Sequence, residues 1–205
     1  MAKRGYHHGN LRQALIDAAL TLIGEQGPQG FTLSDAAKLA GVTPAAVYRH
    51  FAGRDDLVAE IARQGFEIFA DLMDRAYNGG KPSALSAFEA TARAYLAFAR
   101  KFPGHYMAMF ESGISLNTSP DLARASDRAR QVFTRAAEAL SQHIPATKRP
   151  PASMFSAHIW AMSHGVVELY TRGAPGARAP FPPEELLETG IGIYLRGLGL
   201  VPPDS

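Results

Sequence analysis

The sequence predicts an all-α protein of about nine helices, and three observations carry this prediction. Apolar residues recur at three- and four-residue spacing along most of the 205 residues. Capping residues precede several of these stretches, and glycine or proline follows them. Three helix starts also fall within about 35 residues near the amino end, which indicates short helices joined by tight turns.

Composition excludes several classes of protein. With 46% hydrophobic and 20% charged residues, the chain can build a globular core. The longest apolar runs, such as "YLAFA" and "IWAM", are far shorter than the roughly 20 residues that cross a bilayer, and the amino end lacks a signal-peptide core. We therefore expect a cytoplasmic protein with no membrane partner. The absence of cysteine excludes disulfides, thiolate zinc sites and a cysteine nucleophile.

Positive charge is concentrated near the amino end. The formal net charge is only +2 and the isoelectric point is near 9.0, so a nucleic-acid interface would depend on where the charges lie. The first 54 residues carry an excess of cations over the carboxylates Asp17, Glu25 and Asp35. These cations are Lys3, Arg4, Arg12, Lys38, Arg49 and Arg54.

The first three helices follow from capping signals. Asn10 with Gln13 has the form of a capping box, and the apolar face that follows predicts a helix ending at Gly27-Pro28. Thr32 with Asp35 predicts a second helix, which Gly41 ends because glycine accepts the positive φ of a tight turn. Thr43 predicts a third helix start, with Pro44 at the first helical position.

Two short helices joined at Gly41 form a helix-turn-helix, with Ala37, Val42, Val47 and Phe51 facing inward. The small residues Ala45 and Ala46 on the outward face would let the second helix enter a DNA major groove. We expect Arg49 to read guanine, and Tyr48, His50 and Arg54 to contact phosphates. The full set of predicted DNA-binding residues is Lys3, Arg4, Thr32, Thr43, Pro44, Ala45, Ala46, Tyr48, Arg49, His50 and Arg54.

The remainder of the chain predicts a helical bundle. A connecting helix is expected over about 54–77, and the breaker cluster "NGGKPS" follows it. A segment rich in methionine and aromatic residues, "PGHYMAMFESG", suits an adaptable apolar pocket, although such stripes often belong to a core. A later helix carries two apolar faces. The predicted ligand-binding residues are Phe102, Tyr106, Met107, Met109, Phe110, Trp160 and His164.

The last two helices predict a dimer interface. The final helix is expected over 184–199 and contains Gly190, Gly192 and Gly197. Each glycine destabilises a helix, and close packing against a neighbouring helix would offset this cost. We expect these two helices to pair with their two-fold mates as a four-helix interface.

These motifs resemble those of TetR-family transcriptional regulators. The family pattern "F-T-x-x-x-x-A-x-x-A-G-V" followed by "VYRHF" is matched between Asn10 and Leu57. "HIWAMSHGVVEL" is similar to the subgroup with a C-terminal Trp-x-x-x-His-Gly signature, here Trp160, His164 and Gly165. The resemblance implies a homodimer that binds a palindromic operator and releases it on binding a small molecule.

The predicted organisation is a helix-turn-helix DNA-binding domain over 1–53 and a ligand-binding and dimerisation domain over 54–205. The predicted function is a sequence-specific transcriptional regulator, a repressor released from a palindromic operator by a small apolar ligand. Its partners would be operator DNA, an effector and a second copy of the chain, with no cofactor and no metal ion. The alternative is an all-helical enzyme acting on an apolar small molecule. A core histidine is the competing interpretation of His164.

Overall fold

The computed structural model describes residues 11–171 and 181–200, and within these residues it contains nine α-helices and no β-strand. The predicted all-α fold class is confirmed. The helices are α1 (Leu11–Gln26), α2 (Leu33–Leu39), α3 (Pro44–Val47), α4 (Arg54–Tyr77), α5 (Ala84–Lys101), α6 (Pro103–Phe110), α7 (Pro120–Ser141), α8 (Ala152–Val166) and α9 (Pro183–Gly197).

Local signals set the bounds of the first helices. α1 ends at Gln26, and Gly27 follows with a φ of 81°. The capping box predicted at α2 is present, because the Thr32 hydroxyl accepts from the Asp35 amide and the Asp35 carboxylate accepts from the Thr32 amide. Gly41 has a φ of 71°, as the predicted turn requires.

The capping box predicted at α1 pairs Asn10 with Gln13, and Asn10 lies outside the described residues. The other member, Gln13, donates its side-chain amide to the Asp17 carboxylate at 2.8 Å. Asp17 lies four residues after Gln13 on the same face of α1.

The chain divides into two compact units, each built from two separate stretches. The first unit combines the chain up to Phe66 with Phe102–Ser126, and so brings α6 into the same unit as α1. In it, the apolar face of α1 is buried and α6 packs on this helix at Gly104. A Cβ at Gly104 would lie 3.2 Å from the Leu20 carbonyl oxygen, a tight contact that glycine avoids, so a larger residue here would require a small shift of α1 or α6.

The second unit combines Glu67–Lys101 with the chain from Asp127 and is centred on aromatic side chains. Phe88 of α5 stacks on Phe155 of α8 with ring centroids 5.1 Å apart, and Phe155 stacks in turn on Tyr194 of α9 at 5.7 Å. These contacts hold α5, α8 and α9 together. In the part of the chain that the structure describes, no helix combines the length and the apolar character that crossing a bilayer requires.

Candidate nucleic-acid interface

The recognition segment consists of α3 and the turn that follows it. Val47 at the end of α3 is fully buried, and Phe51 is only 2% exposed. The amides of His50 and Phe51 both donate to the Val47 carbonyl, which closes the turn over Tyr48, Arg49 and His50. The α-helix itself is therefore four residues long, shorter than the predicted recognition helix.

The outward side of the recognition segment has the composition that close approach to DNA requires. Pro44 and Ala45 are exposed and small, and Ala46 is half-buried. Tyr48 is 63% exposed, an unusual degree for an aromatic side chain, and Arg49 and His50 beside it are also exposed. Small residues beside exposed donors allow a segment to enter a groove and still reach base edges and phosphates.

The two threonines among the predicted DNA-binding residues differ in their hydrogen bonds. The Thr32 hydroxyl donates to the Asp35 carboxylate at 2.7 Å, and this bond together with the Thr32 amide bond lowers the pKa of Asp35. Thr43 occupies the N-cap position of α3, but the prediction that its side chain caps the helix is wrong. The Ala46 amide is satisfied by the Thr43 backbone carbonyl at 2.9 Å instead.

Arg54, the first residue of α4, points into its own unit. Its Nη2 donates to the Pro28 carbonyl, its Nη1 pairs with Asp55 at 2.5 Å, and its guanidinium lies over the Phe31 ring at 5.6 Å. The phosphate contact predicted for Arg54 stays a prediction, and the side chain to which it was assigned already has partners within the first unit.

An ionic cluster between α1 and α4 was not predicted from the sequence. Glu60 accepts from Arg12 at 3.0 Å, from Arg63 at 2.7 Å and 2.8 Å, and from Gln64 at 3.0 Å. Burial raises the pKa of Glu60, but these hydrogen bonds outweigh it and hold the pKa at about 2. The Arg12 guanidinium also lies 5.2 Å from the centre of the Phe51 ring.

This cluster ties the first turn of α1 to α4 next to the recognition segment. It also neutralises Arg12, one of the cations counted at the amino end. The sequence signals for it are local, the spacings of Glu60 to Arg63 and to Gln64, whereas Arg12 is 48 residues away from Glu60. Two other predicted contacts, Lys3 and Arg4, lie outside the described residues.

Five of the predicted ligand-binding residues belong to the first unit. Tyr106 and Met109 are buried, while Phe102, Met107 and Phe110 are half-buried. The Phe110 ring lies edge-on to Phe66 of α4 at 5.7 Å and 4.8 Å from Tyr106. Met109 covers Gly65 so closely that a Cβ there would lie 2.6 Å from its sulfur. These contacts form a packed apolar junction between α6 and α4.

The other two predicted ligand-binding residues belong to the second unit. The Tyr95 hydroxyl and His164 Nδ1 are 2.9 Å apart, so the half-buried His164 has a hydrogen-bond partner in a fully buried tyrosine. Trp160 packs edge-on against Phe69 at 5.9 Å and also contacts the Tyr95 ring at 5.6 Å. Ser163 between them is fully buried, and its hydroxyl oxygen has no hydrogen-bond partner.

Two cavities are lined by other residues. One of about 580 Å³ in the first unit is bounded by Gln29, Arg54, Asp55 and the loop 112–118, and one of about 160 Å³ in the second unit lies between α5 and α9. Neither includes a predicted ligand-binding residue. Within residues 11–171 and 181–200, His, Asp and Glu side chains form no group of three arranged to hold a metal ion.

Comparison with known proteins identifies the family. Residues 15–61 match the family model described as "Bacterial regulatory proteins, tetR family", and residues 88–194 match the one described as "Tetracyclin repressor-like, C-terminal domain". The second match alone covers more than half of the chain. The chain belongs to the TetR family. As a TetR-family protein it is a DNA-binding transcriptional regulator, and this membership decides against the enzyme alternative.

Individual relatives agree with this assignment. The HTH-type transcriptional regulator BetI of Brucella canis is 30% identical over 191 residues, which cover 91% of this chain and 92% of BetI. A protein of unknown function from Rhodococcus sp. RHA1 has a TM-score of 0.77 at 27% identity, covering 96% of this chain and 99% of that one. AibR in complex with isovaleryl coenzyme A and operator DNA has a TM-score of 0.67 at 17% identity, covering 89% and 97%. The AibR likeness shows the TetR fold alone.

Proposed function

We propose that this TetR-family regulator is a repressor that binds a palindromic operator as a homodimer in the cytoplasm and is released by a small molecule. The observation that carries the proposal is the recognition segment, where Val47 and Phe51 anchor the backbone and Tyr48, Arg49 and His50 face outward. Two such segments about 34–36 Å apart would occupy successive major grooves on one side of B-DNA.

The exposed apolar side chains of α8 and α9 support the dimer. Met154 on α8 is 51% exposed and Ile193 on α9 is 60% exposed. His158 and Tyr194 join the two helices through a 2.8 Å hydrogen bond, so both helices present their outer sides as one surface. Apolar surface of this kind is typical of a subunit interface, and a two-fold axis would cover it with the same surface of a second copy.

The proposed effector site combines aromatic side chains with a few polar groups. The aromatic side chains in the second unit are those of Trp160 and Tyr95, and the polar groups are those of the Tyr95–His164 hydrogen bond. The unpartnered Ser163 hydroxyl adds a polar group to which a ligand could hydrogen-bond. The AibR complex, which holds both isovaleryl coenzyme A and operator DNA, supports an effector on this fold. An effector shifts the DNA-binding equilibrium only if it prefers one conformation of the dimer.

Selection of bound sequences from random DNA duplexes tests the proposal. The wild-type protein should enrich a palindrome, and the half-site spacing should match one turn of DNA. Arg130→Ala is the control and should enrich the same palindrome, since Arg130 is a 68% exposed arginine of α7 that pairs with Asp127, outside the recognition segment. Enrichment of no sequence, or of a single asymmetric site by a stable monomer, would contradict the proposal. Release of the selected duplex by candidate small molecules then tests the effector.

A further inference from the structure

The side chain of Arg54 is used inside the first unit. Its two terminal nitrogens donate to the Pro28 carbonyl and the Asp55 carboxylate, and its Nε is buried. Only 24% of the side chain is exposed. The Phe31 ring, which lies under the guanidinium, is 2% exposed.

These contacts join two parts of the chain that are 26 residues apart. Pro28 and Phe31 lie in the connection between α1 and α2, and Arg54 begins α4. Since α2 begins at Leu33, directly after Phe31 and Thr32, the position of the helix-turn-helix relative to α4 depends on this connection. A rigid, planar guanidinium can bond a carbonyl and stack on a ring at the same time, which a lysine ammonium cannot.

We propose that Arg54 is a positioning residue for operator recognition, which holds the α1–α2 connection against the start of α4 and thereby sets the recognition segment. This inference rests on the proposed DNA-binding function. It differs from the phosphate contact that the sequence predicts for Arg54, because a positioning residue acts through geometry and a phosphate contact acts through charge. The two roles give opposite results in salt and in a charge-conserving substitution.

Three variants separate the two roles. Arg54→Lys keeps the charge and loses the planar fork, and Arg54→Ala loses both. Phe31→Leu removes the ring beneath the guanidinium and leaves every charge in place. Phe31 is buried and therefore contacts no DNA, so an effect of Phe31→Leu on recognition reports positioning.

The measurement is the affinity for a selected operator and for a random duplex across a range of salt concentrations. It is made at a temperature at which circular dichroism shows each variant fully folded, so that stability alone does not change the result. Arg54→Lys and Arg54→Ala should each lower the operator-to-random affinity ratio about tenfold and leave the salt slope at the wild-type value. Phe31→Leu should lower the ratio in the same direction, and Arg130→Ala should leave it unchanged.

A salt slope reduced by about 0.9 in Arg54→Ala and restored in Arg54→Lys would overturn the inference, since it would show a phosphate contact. Equal losses on operator and random DNA, or a wild-type ratio in both Arg54 variants or in Phe31→Leu, would also overturn it. These results leave the proposed function intact because they require a wild-type protein that selects an operator. A wild type without sequence preference would overturn the proposed function, and the role assigned to Arg54 with it.

Discussion

Substituting Glu60 by glutamine removes the carboxylate that joins α1 to α4. The side chain keeps its size but loses its charge, so Arg12 and Arg63 lose the anion that both of them contact. Glu60 is only 11% exposed, which limits the water that could replace these partners. We therefore expect Glu60→Gln to destabilise the folded protein.

The pKa of Glu60 gives the magnitude. It lies at about 2 against an ordinary value of 4.5, and each pKa unit corresponds to about 1.36 kcal/mol, so the ionised form gains about 3 kcal/mol on folding. Arg12 is half exposed, and solvent screening there reduces the effect. We expect Glu60→Gln to lower the free energy of unfolding by about 1–3 kcal/mol at neutral pH.

The pH dependence gives this prediction a sign. A carboxylate with a lowered pKa stabilises the fold fully above its unfolded pKa of about 4.5, and this stabilisation is lost as the pH falls towards the folded pKa of about 2. The gap between wild type and variant should therefore be constant from about pH 7 to about pH 5.5 and should lose more than half of its neutral-pH value towards pH 3.

Urea unfolding followed by circular dichroism at each pH measures this gap. Glu188→Gln is the control, because Glu188 forms a surface ion pair with Arg93 at 3.4 Å and is 55% exposed. Such a pair contributes about 0–1 kcal/mol. If Glu60→Gln is as stable as wild type at neutral pH, or if the gap does not change down to pH 3, the stabilising role of the cluster is refuted.

Three further predictions concern recognition, assembly and the core. Arg49→Ala should lower the operator-to-random affinity ratio by about tenfold in a binding titration, because a bidentate guanine contact is lost; an unchanged ratio would show that Arg49 does not read a base. Ile193→Glu should give a monomer by light scattering, since it places a charge in the proposed interface, whereas a dimer of wild-type stability would place the interface elsewhere. Tyr95→Phe should cost about 1 kcal/mol in thermal unfolding by leaving His164 without this bond, and no loss would mean that His164 finds another partner.

Sequence patterns predicted the features whose causes are local. The Thr32–Asp35 capping box and the positive φ at Gly41 each depend on residues within one helical turn, and both are present. The Thr43 side chain does not cap α3, and the reason is also local. In a helix of four residues, the backbone carbonyl of Thr43 already satisfies the Ala46 amide.

Contacts between distant parts of the chain could not be predicted. In the sequence, Arg54 has the pattern of an exposed cation before Asp55. Only folding brings its side chain to the Pro28 carbonyl. Glu60 and Arg12, which are 48 residues apart in the sequence, meet for the same reason. The predicted boundary at residue 53 followed the end of the helix-turn-helix motif, and a local motif carries no signal that residues 102–126 group with the first unit.

The two-stretch construction of the first unit has a consequence for hybrid regulators. A fusion that takes only the amino-terminal helices from this chain would separate α1 from α6, and with it the site where Gly104 lies against Leu20. A larger residue at that position of a foreign α6 would place its Cβ 3.2 Å from the Leu20 carbonyl oxygen, so α1 or α6 would have to shift by a few tenths of an ångström. Exchange of DNA-reading modules between relatives therefore preserves the packing of α6 on α1 when residues 102–126 are transferred together with the amino-terminal segment.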